Sequence, residues 1–558
     1  MGELRGSSAR TADGSTTKVF SDGAAEKPRS AREAICNGDP AGAPLAELVD
    51  SPWDVVAANV DSGDDVDLVV AQAPGALLAP GSKGAKGVRI LSNLGDSART
   101  GVWRCRQLEP IERVNRLVVG DIDGDGRPDV VGGTWQTREI RFWRLGPDGA
   151  PVASERMSIS LDEATRGLPS DCGTAEDGDV VLSSLALADV DANGKPWLAV
   201  TLYRRDRDGE PCSNHLFYGF DAAANRFVSK RKLAGPGLVR GRFADIDDDG
   251  RLDFVGSAYA VQCADGGHET CGSKGVWGVW YRSLGVQRKP LELSVLADKP
   301  NWIPRFTAVD FDVWPSALAK RTGRLVGATA FAVAVSGLDA CNSADCWNAK
   351  AQGGYVAIVR ADGAEVGTSA SVERPVETAR SDGAYLSPEA TLFVDGAAES
   401  SVAATYRWVQ YCDGTSCSAG DSSPLVSKGG AIMTYRDATS TEPTFETQSE
   451  ALRRQGLALV PFGASSDALA RVEDEVVVAP RRRIVHLRSR NVTAIEGAWQ
   501  GGKGGAEKRK LRFSWYPGDA WITLLDAPDA GPVHVDYRAI AKRAVVAADN
   551  SIGLFIQH

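Results

Sequence analysis

The feature that most constrains this chain is an acidic loop set between two short apolar runs and repeated along the sequence. It appears in full as Leu117-Val-Val-Gly-Asp121-Ile-Asp123-Gly-Asp125-Gly-Arg127-Pro-Asp129-Val-Val, and again as Phe243-Ala-Asp245-Ile-Asp247-Asp-Asp249-Gly-Arg251-Leu-Asp253-Phe-Val. Looser copies carry Asn59, Asp61, Asp65 and Asp67, with Gly63 in place of the third carboxylate, and Asp189, Asp191 and Asn193, with Trp197 in place of the closing aspartate. A vestige holds Asp310 and Asp312, followed by Trp314-Pro315 where the loop should curl. The copies start at residues 59, 121, 189, 245 and 310, a period of about 63.

Four strands of five to seven residues with their turns consume about that length. The unit beginning near residue 117 shows β-rich runs at 117–120, 130–133, 139–145 and 155–160, and the unit near 238 shows them at 238–243, 254–260, 275–281 and 291–296. Four-stranded antiparallel units at fixed spacing predict an all-β chain, a β-propeller whose radial repetition covers the sheet faces and shortens the edges. Beyond 320 the acidic loops vanish, yet strand-like runs persist at 326–336, 354–360 and 366–372, then at 391–395, 401–409 and 430–435. A seventh set follows at 457–462, 475–479, 484–487 and 492–495. The Gly/Lys-rich stretch 501–510 precedes four more, at 511–516, 521–525, 533–537 and 544–548. The expected organisation is a lead-in without regular structure at 1–45, a propeller at 46–500 with seven blades favoured, and a small β module at 501–558. An eighth blade is the alternative for that last segment.

Calcium is a hard cation that takes six to eight oxygens at about 2.3–2.6 Å, and alternate residues of a tight turn aim their carboxylates at a common centre. Asp121, Asp123, Asp125, the Arg127 carbonyl and Asp129 form one such set, and Asp245, Asp247, Asp249, the Arg251 carbonyl and Asp253 a second. Asn59, Asp61, the Asp65 carbonyl and Asp67 make a weaker third, and Asp189, Asp191 and Asn193 a fourth that needs water to complete its shell. Four carboxylates in one turn repel each other without a cation, so these loops predict two to four structural Ca²⁺ ions.

The pattern D-x-D-x-D-G-x-x-D between hydrophobic strands resembles the FG-GAP/VCBS repeat, the unit of integrin alpha-chain β-propellers and of many exported repeat proteins. The full motif occurs twice and covers residues 46–320 directly. The resemblance implies a calcium-bearing propeller, while the family spans adhesion receptors, lectins and lyase scaffolds and so names no partner.

The ten cysteines add a compartment. Cys263 and Cys271, Cys341 and Cys346, and Cys412 and Cys417 form local pairs around polar stretches, with Cys172/Cys212 and Cys36/Cys105 as longer-range candidates. A zinc reading needs a second Cys or His pair nearby, and only His268 is close. Disulfides point to an extracytoplasmic location, whether secreted, periplasmic or cell-surface, although residues 1–32 show no apolar leader core. Lys+Arg 63 against Asp+Glu 73 gives a net charge of -10, which disfavours nucleic acid, and no apolar run is long enough for a transmembrane helix.

No nucleophile elbow, zincin helix, Walker loop or dinucleotide fingerprint is present, and the histidines at 215, 268, 486, 534 and 558 share no motif. Asp13-Gly-Ser15-Thr-Thr17 looks like a metal-dependent adhesion sequence but no strand is expected before it, and Asn491-Val-Thr493 is a glycosylation sequon. Trp135, Trp143, Trp277, Trp280, Tyr281, Trp302 and Trp347 serve either as fillers between sheets or as sugar-stacking platforms. The expected function is therefore a non-enzymatic binding or adhesion scaffold for a protein or polysaccharide. A lectin or a polysaccharide-active enzyme built on a propeller is the alternative.

Overall fold

The structure is a computed structural model. It describes residues 6–10, 16–20, 41–44, 52–72, 87–109, 114–204, 210–263, 274–294, 307–314, 329–336, 355–361, 384–395, 400–411, 425–436, 444–447, 458–461, 469–478, 482–500, 508–540, 544–548 and 553–556, with short gaps inside some ranges, and the isolated positions Cys36 and Leu48.

The fold is all-β and repeats as the period demands. In the second unit Val114–Gly120, Asp129–Thr134, Glu139–Leu145 and Pro151–Ser158 form one antiparallel sheet in chain order. The first unit (Pro52–Ala58, Asp67–Gln72, Gly87–Ser92, Val102–Glu109) follows the same order. So do the third (Val180–Ala188, Trp197–Arg204, Ser213–Asp221, Arg226–Gly235) and the fourth (Leu238–Ala244, Asp253–Cys263, Lys274–Tyr281, Arg288–Ser294). Three strands, Thr307–Trp314, Ala330–Ser336 and Tyr355–Arg360, make the fifth sheet, and the sixth opens with Ala384–Asp395.

Each unit's first strand lies against the next unit's first strand. The series runs from Pro52–Ala58 through to Ala384–Asp395, then to Ala458–Pro461, and from there back to Pro52–Ala58. That cyclic neighbour order is the propeller arrangement. Apolar clusters fill the wedges between sheets: Val131, Phe142, Leu182 and Tyr218 between the second and third, and Val255, Trp277, Phe311 and Phe331 between the fourth and fifth. Trp143, Trp277, Trp280 and Tyr281 are buried, so four of the seven aromatics pack sheets together, and Trp135 is half-buried. Trp302 and Trp347 lie outside the described residues.

The vestigial fifth copy is not a loop. Asp310 and Asp312 lie within the strand Thr307–Trp314, both buried. Arg240 of the fourth unit stands 3.2 Å from Asp310 and 3.6 Å from Asp54 of the first, while Arg242 stands 3.5 Å from Asp312. The first and fourth units are not neighbours in the cycle, so the Arg240–Asp54 pair crosses the middle of the ring, while the Arg240–Asp310 pair joins adjacent units. Ion pairs with Arg240 and Arg242 hold these two aspartates.

Two expected boundaries fall elsewhere. Strands before and after residue 500 share sheets: Leu469–Val478, Pro532–Ile540, Val492–Gln500 and Arg509–Leu511 form one, and Ile484–His486, Trp521–Leu524 and Phe513–Ser514 another. The two share a core of Val485, Leu487, Ala498, Ile522, Val533 and Tyr537. This insert interrupts the seventh unit, because Ala458–Pro461 pairs with Ala544–Ala548, which pairs with Gly553–Ile556. Only the first of the four runs expected to build a seventh blade therefore belongs to it. In the lead-in, Gly6–Arg10 pairs with Thr16–Phe20, the latter lying against Gly553–Ile556, and Ala43–Pro44 joins the first sheet. The β-branched and aromatic content of Thr16-Thr-Lys-Val-Phe20 accounts for strand where none was expected.

Candidate metal centre

The acidic loops join each unit's first strand to its second, which places all four on one face of the ring. In the second loop Gly124 (φ 84°) and Gly126 (φ 85°) adopt the left-handed backbone that curls the chain. Asp121 accepts the N–H of Gly124 on Oδ1 (2.8 Å) and of Gly126 on Oδ2 (2.9 Å), and Asp129 accepts the N–H of Ile122 (3.0 Å). The fourth loop repeats this: Asp245 accepts from Asp249 (3.0 Å) and Gly250 (2.9 Å), and Asp253 from Ile246 (3.1 Å).

These bonds gather the carboxylates. One oxygen each from Asp121, Asp123 and Asp129 lie within 4.8 Å of one another, as do those of Asp245, Asp247 and Asp253. A shell of oxygens about 2.4 Å from a calcium ion has a diameter of about 4.8 Å, so each trio fits one ion. Burial pushes Asp129 up to about 7, reinforced by Asp123, Asp125 and Asp121, and pushes Asp253 up to about 7, reinforced by Asp247. Asp121 is also raised, first by burial. A divalent cation at either trio would supply the positive charge that favours the ionised carboxylates. Both oxygens of Asp247 are shut off from solvent and accept no hydrogen bond, with Arg282 ion-paired to one of them.

Asp125 and Asp249 stand apart from the trios. Each accepts the N–H two residues on, from Arg127 and Arg251 at 2.9 Å, and pairs with that arginine's guanidinium. Local side-chain to backbone bonding competes with convergence there. The Arg127 and Arg251 N–H groups are thus accounted for.

The looser loops divide. In the first, Asp67 accepts from Val60 (2.9 Å) and Asn93 (2.8 Å) and is pushed to about 7 by burial and by Asp61. Asn59 donates to the Gly63 carbonyl and Asp61 accepts from Gly63, while Asp65 adds no carboxylate to the set. In the third, the Trp197 indole N–H donates to Asp191 (2.9 Å), so the residue in the closing position occupies a ligand itself. Asp189 accepts from Asn193, Gly194 and the Ser514 hydroxyl (2.8 Å), and Asn193 accepts from Lys195. Among the described residues, three carboxylates converge only in the second and fourth loops.

The sequence reading missed Arg144, 3.1 Å from Asp123, and Arg282 beside Asp247. Arg144 is the penultimate residue of its unit's third strand and Arg282 directly follows the third strand of its own, and the similarity of Trp143-Arg-Leu-Gly146 to Tyr281-Arg-Ser-Leu-Gly285 was the available signal. Cys36–Cys105 and Cys172–Cys212 are disulfides, and the three local pairs lie outside the described side chains. His215 is buried beside Phe254 and Tyr281 and held down to about 3 by burial, the behaviour of a core residue. His534 bonds Asp474 at 2.6 Å, and His486 lies 4.0 Å from Asp245. His268 and His558, and the Asp13 to Ser15 stretch, lie outside the described residues.

No family model matches the chain, and no curated protein does. Solved structures similar to it include a protein from Lactobacillus plantarum (12% identity, 71% of this chain and 88% of that one, TM-score 0.35) and Saccharomyces cerevisiae Sqt1 (9%, 86% and 98%, 0.34). Trypanosoma rangeli sialidase in complex with the inhibitor DANA is a third (10%, 91% and 84%, 0.33). At these TM-scores the likenesses add nothing to the sheet topology on which the fold rests.

Proposed function

We propose that the chain is an extracytoplasmic, calcium-stabilised, seven-bladed propeller of the FG-GAP/VCBS kind, serving as a binding scaffold for a protein or polysaccharide. The observation that carries this reading is the twofold convergence of three carboxylates, Asp121 with Asp123 and Asp129, and Asp245 with Asp247 and Asp253. Two disulfides support an oxidising compartment, and among the described residues no helix is long and apolar enough to cross a membrane. Calcium there acts as a staple: extracellular modules bind at about 10⁻⁴–10⁻³ M, near saturation outside cells. The residues hold the loops curled and exclude water from Asp129 and Asp253, and the ion supplies positive charge.

Calorimetric titration of the full chain with Ca²⁺ tests the metal, with two equivalents expected. No heat of binding up to about 10 mM refutes it. A glycan array and a pull-down with the calcium-loaded protein test the scaffold, and cleavage of a polysaccharide in the same samples replaces it with the enzyme reading.

A further inference from the structure

The insert at 469–540 leaves the seventh unit after its first strand, the position the acidic loops hold in units one to four, and so emerges on the loop face. Its three-stranded sheet and the flanking turns lie across three of those loops. Tyr516 packs so close to Gly120, beside Asp121, that a Cβ there would stand 2.6 Å from its ring. Ser514 donates to Asp189, and Leu525 covers Gly194. Arg482 pairs with Asp248 and lies over Gly250. Tyr516 belongs to the core between the second and third sheets, and Ile484 and Trp521 to the core that holds Phe243 and Leu252.

We propose that this insert is a roof built in cis over the metal loops, and that its docking and cation binding reinforce each other, with Arg482 and Ser514 as positioning residues. The proposal rests on the calcium reading above. Asp248 sits between the converging Asp247 and the diverging Asp249, at φ 60°, in the left-handed region that aspartate enters more readily than most residues. Arg482 holds it, which fixes the curl that brings Asp247 to Asp245 and Asp253. Ser514 similarly fixes Asp189, whose carboxylate also caps the N–H of Gly194. Neither Asp248 nor Arg482 supplies a ligand oxygen to the trio, so both act through loop shape. Whatever factor docking contributes to cation affinity, the cation contributes to docking, because the two equilibria are linked.

The test uses the full chain, Ca²⁺ and two readouts. Arg482→Ala and Asp248→Asn are each expected to weaken calcium binding at one of the two sites by about five- to tenfold. The double variant should weaken it no further, because both substitutions remove one interaction. Calcium is expected to slow amide exchange in 484–486 and 521–524, and the slowing should shrink in both variants. Asp248→Asn keeps the left-handed preference of its position, so it reports even where Arg482→Ala unfolds the insert. Unchanged affinity in every variant, with insert exchange indifferent to calcium, overturns the coupling and leaves the calcium reading standing. Absence of calcium binding to the unaltered chain removes both.

Discussion

Asp129→Asn should change the sign of its effect with calcium. The residue is 1% exposed, and burial together with three neighbouring aspartates raises its carboxyl from 3.8 to about 7. Three pH units at about 1.4 kcal/mol each put the cost of its charge at about 4 kcal/mol near neutral pH. Asparagine can still accept the Ile122 N–H and carries no charge. Loss of the charge-assisted bond and the burial of a new amide offset part of the gain, leaving about 1–2 kcal/mol. In chelator the variant should therefore melt a few degrees above the unaltered chain. In calcium at ten times its dissociation constant, the unaltered site gains about 1.4 kcal/mol that the variant cannot, so the order narrows or inverts. The pH dependence has a definite sign. A raised carboxyl contributes stability that is present below 3.8 and lost as pH rises through about 7, so the variant's advantage in chelator should fade on going from pH 7.5 to 5. Scanning calorimetry in chelator and in calcium, at both pH values, measures all of this. A variant less stable than the parent in chelator at pH 7.5, with the same calcium-induced shift as the parent, refutes the reasoning.

Trp197→Asp restores the closing carboxylate of the third loop and releases Asp191 from the indole, so calorimetry should count one further calcium equivalent; an unchanged stoichiometry counts against loop closure as the missing element. Replacing Cys172 and Cys212 by serine opens a link across a sequence separation of 40. Chain entropy sets the expected loss at about 4 kcal/mol, read from the denaturant midpoint, and an unmoved midpoint contradicts it. Gly120→Ala drives a methyl into the Tyr516 ring and should cost about 1–3 kcal/mol while quickening proteolysis within 469–540; cleavage at the parental rate would show that Tyr516 does not anchor the insert.

Much of the fold was legible because it is local. The runs from 117 to 160 and from 238 to 296 are rich in β-branched and aromatic residues and bounded by Gly, Pro and Asp turns, and the strands of those units fall there within a few residues. The two complete loops were legible because hydrogen bonds spanning two to seven residues curl them, although Ser283 also donates to Asp253 from just past the third strand. What escaped was long-range. Arg144 and Arg282 reach their aspartates at unequal separations, since the connection before the third strand differs in length. Asp310 and Asp312 read as loop remnants because their partners, Arg240 and Arg242, lie some 70 residues upstream. The insert read partly as a seventh blade and partly as a C-terminal module because a strand's pattern carries no label for the sheet it joins.

The interrupted seventh sheet orders events in time. Ala458 pairs with Ala548, so the first strand of that sheet leaves the ribosome ninety residues before its partner exists. Until then Ala458–Pro461 has no partner in its own sheet and exposes unsatisfied backbone groups. The insert between the two pairing strands, with its own core, can fold in the interval and settle onto the loops already made. Closure by so distant a pair raises contact order, which slows folding and lengthens the period in which open edges can pair with other chains.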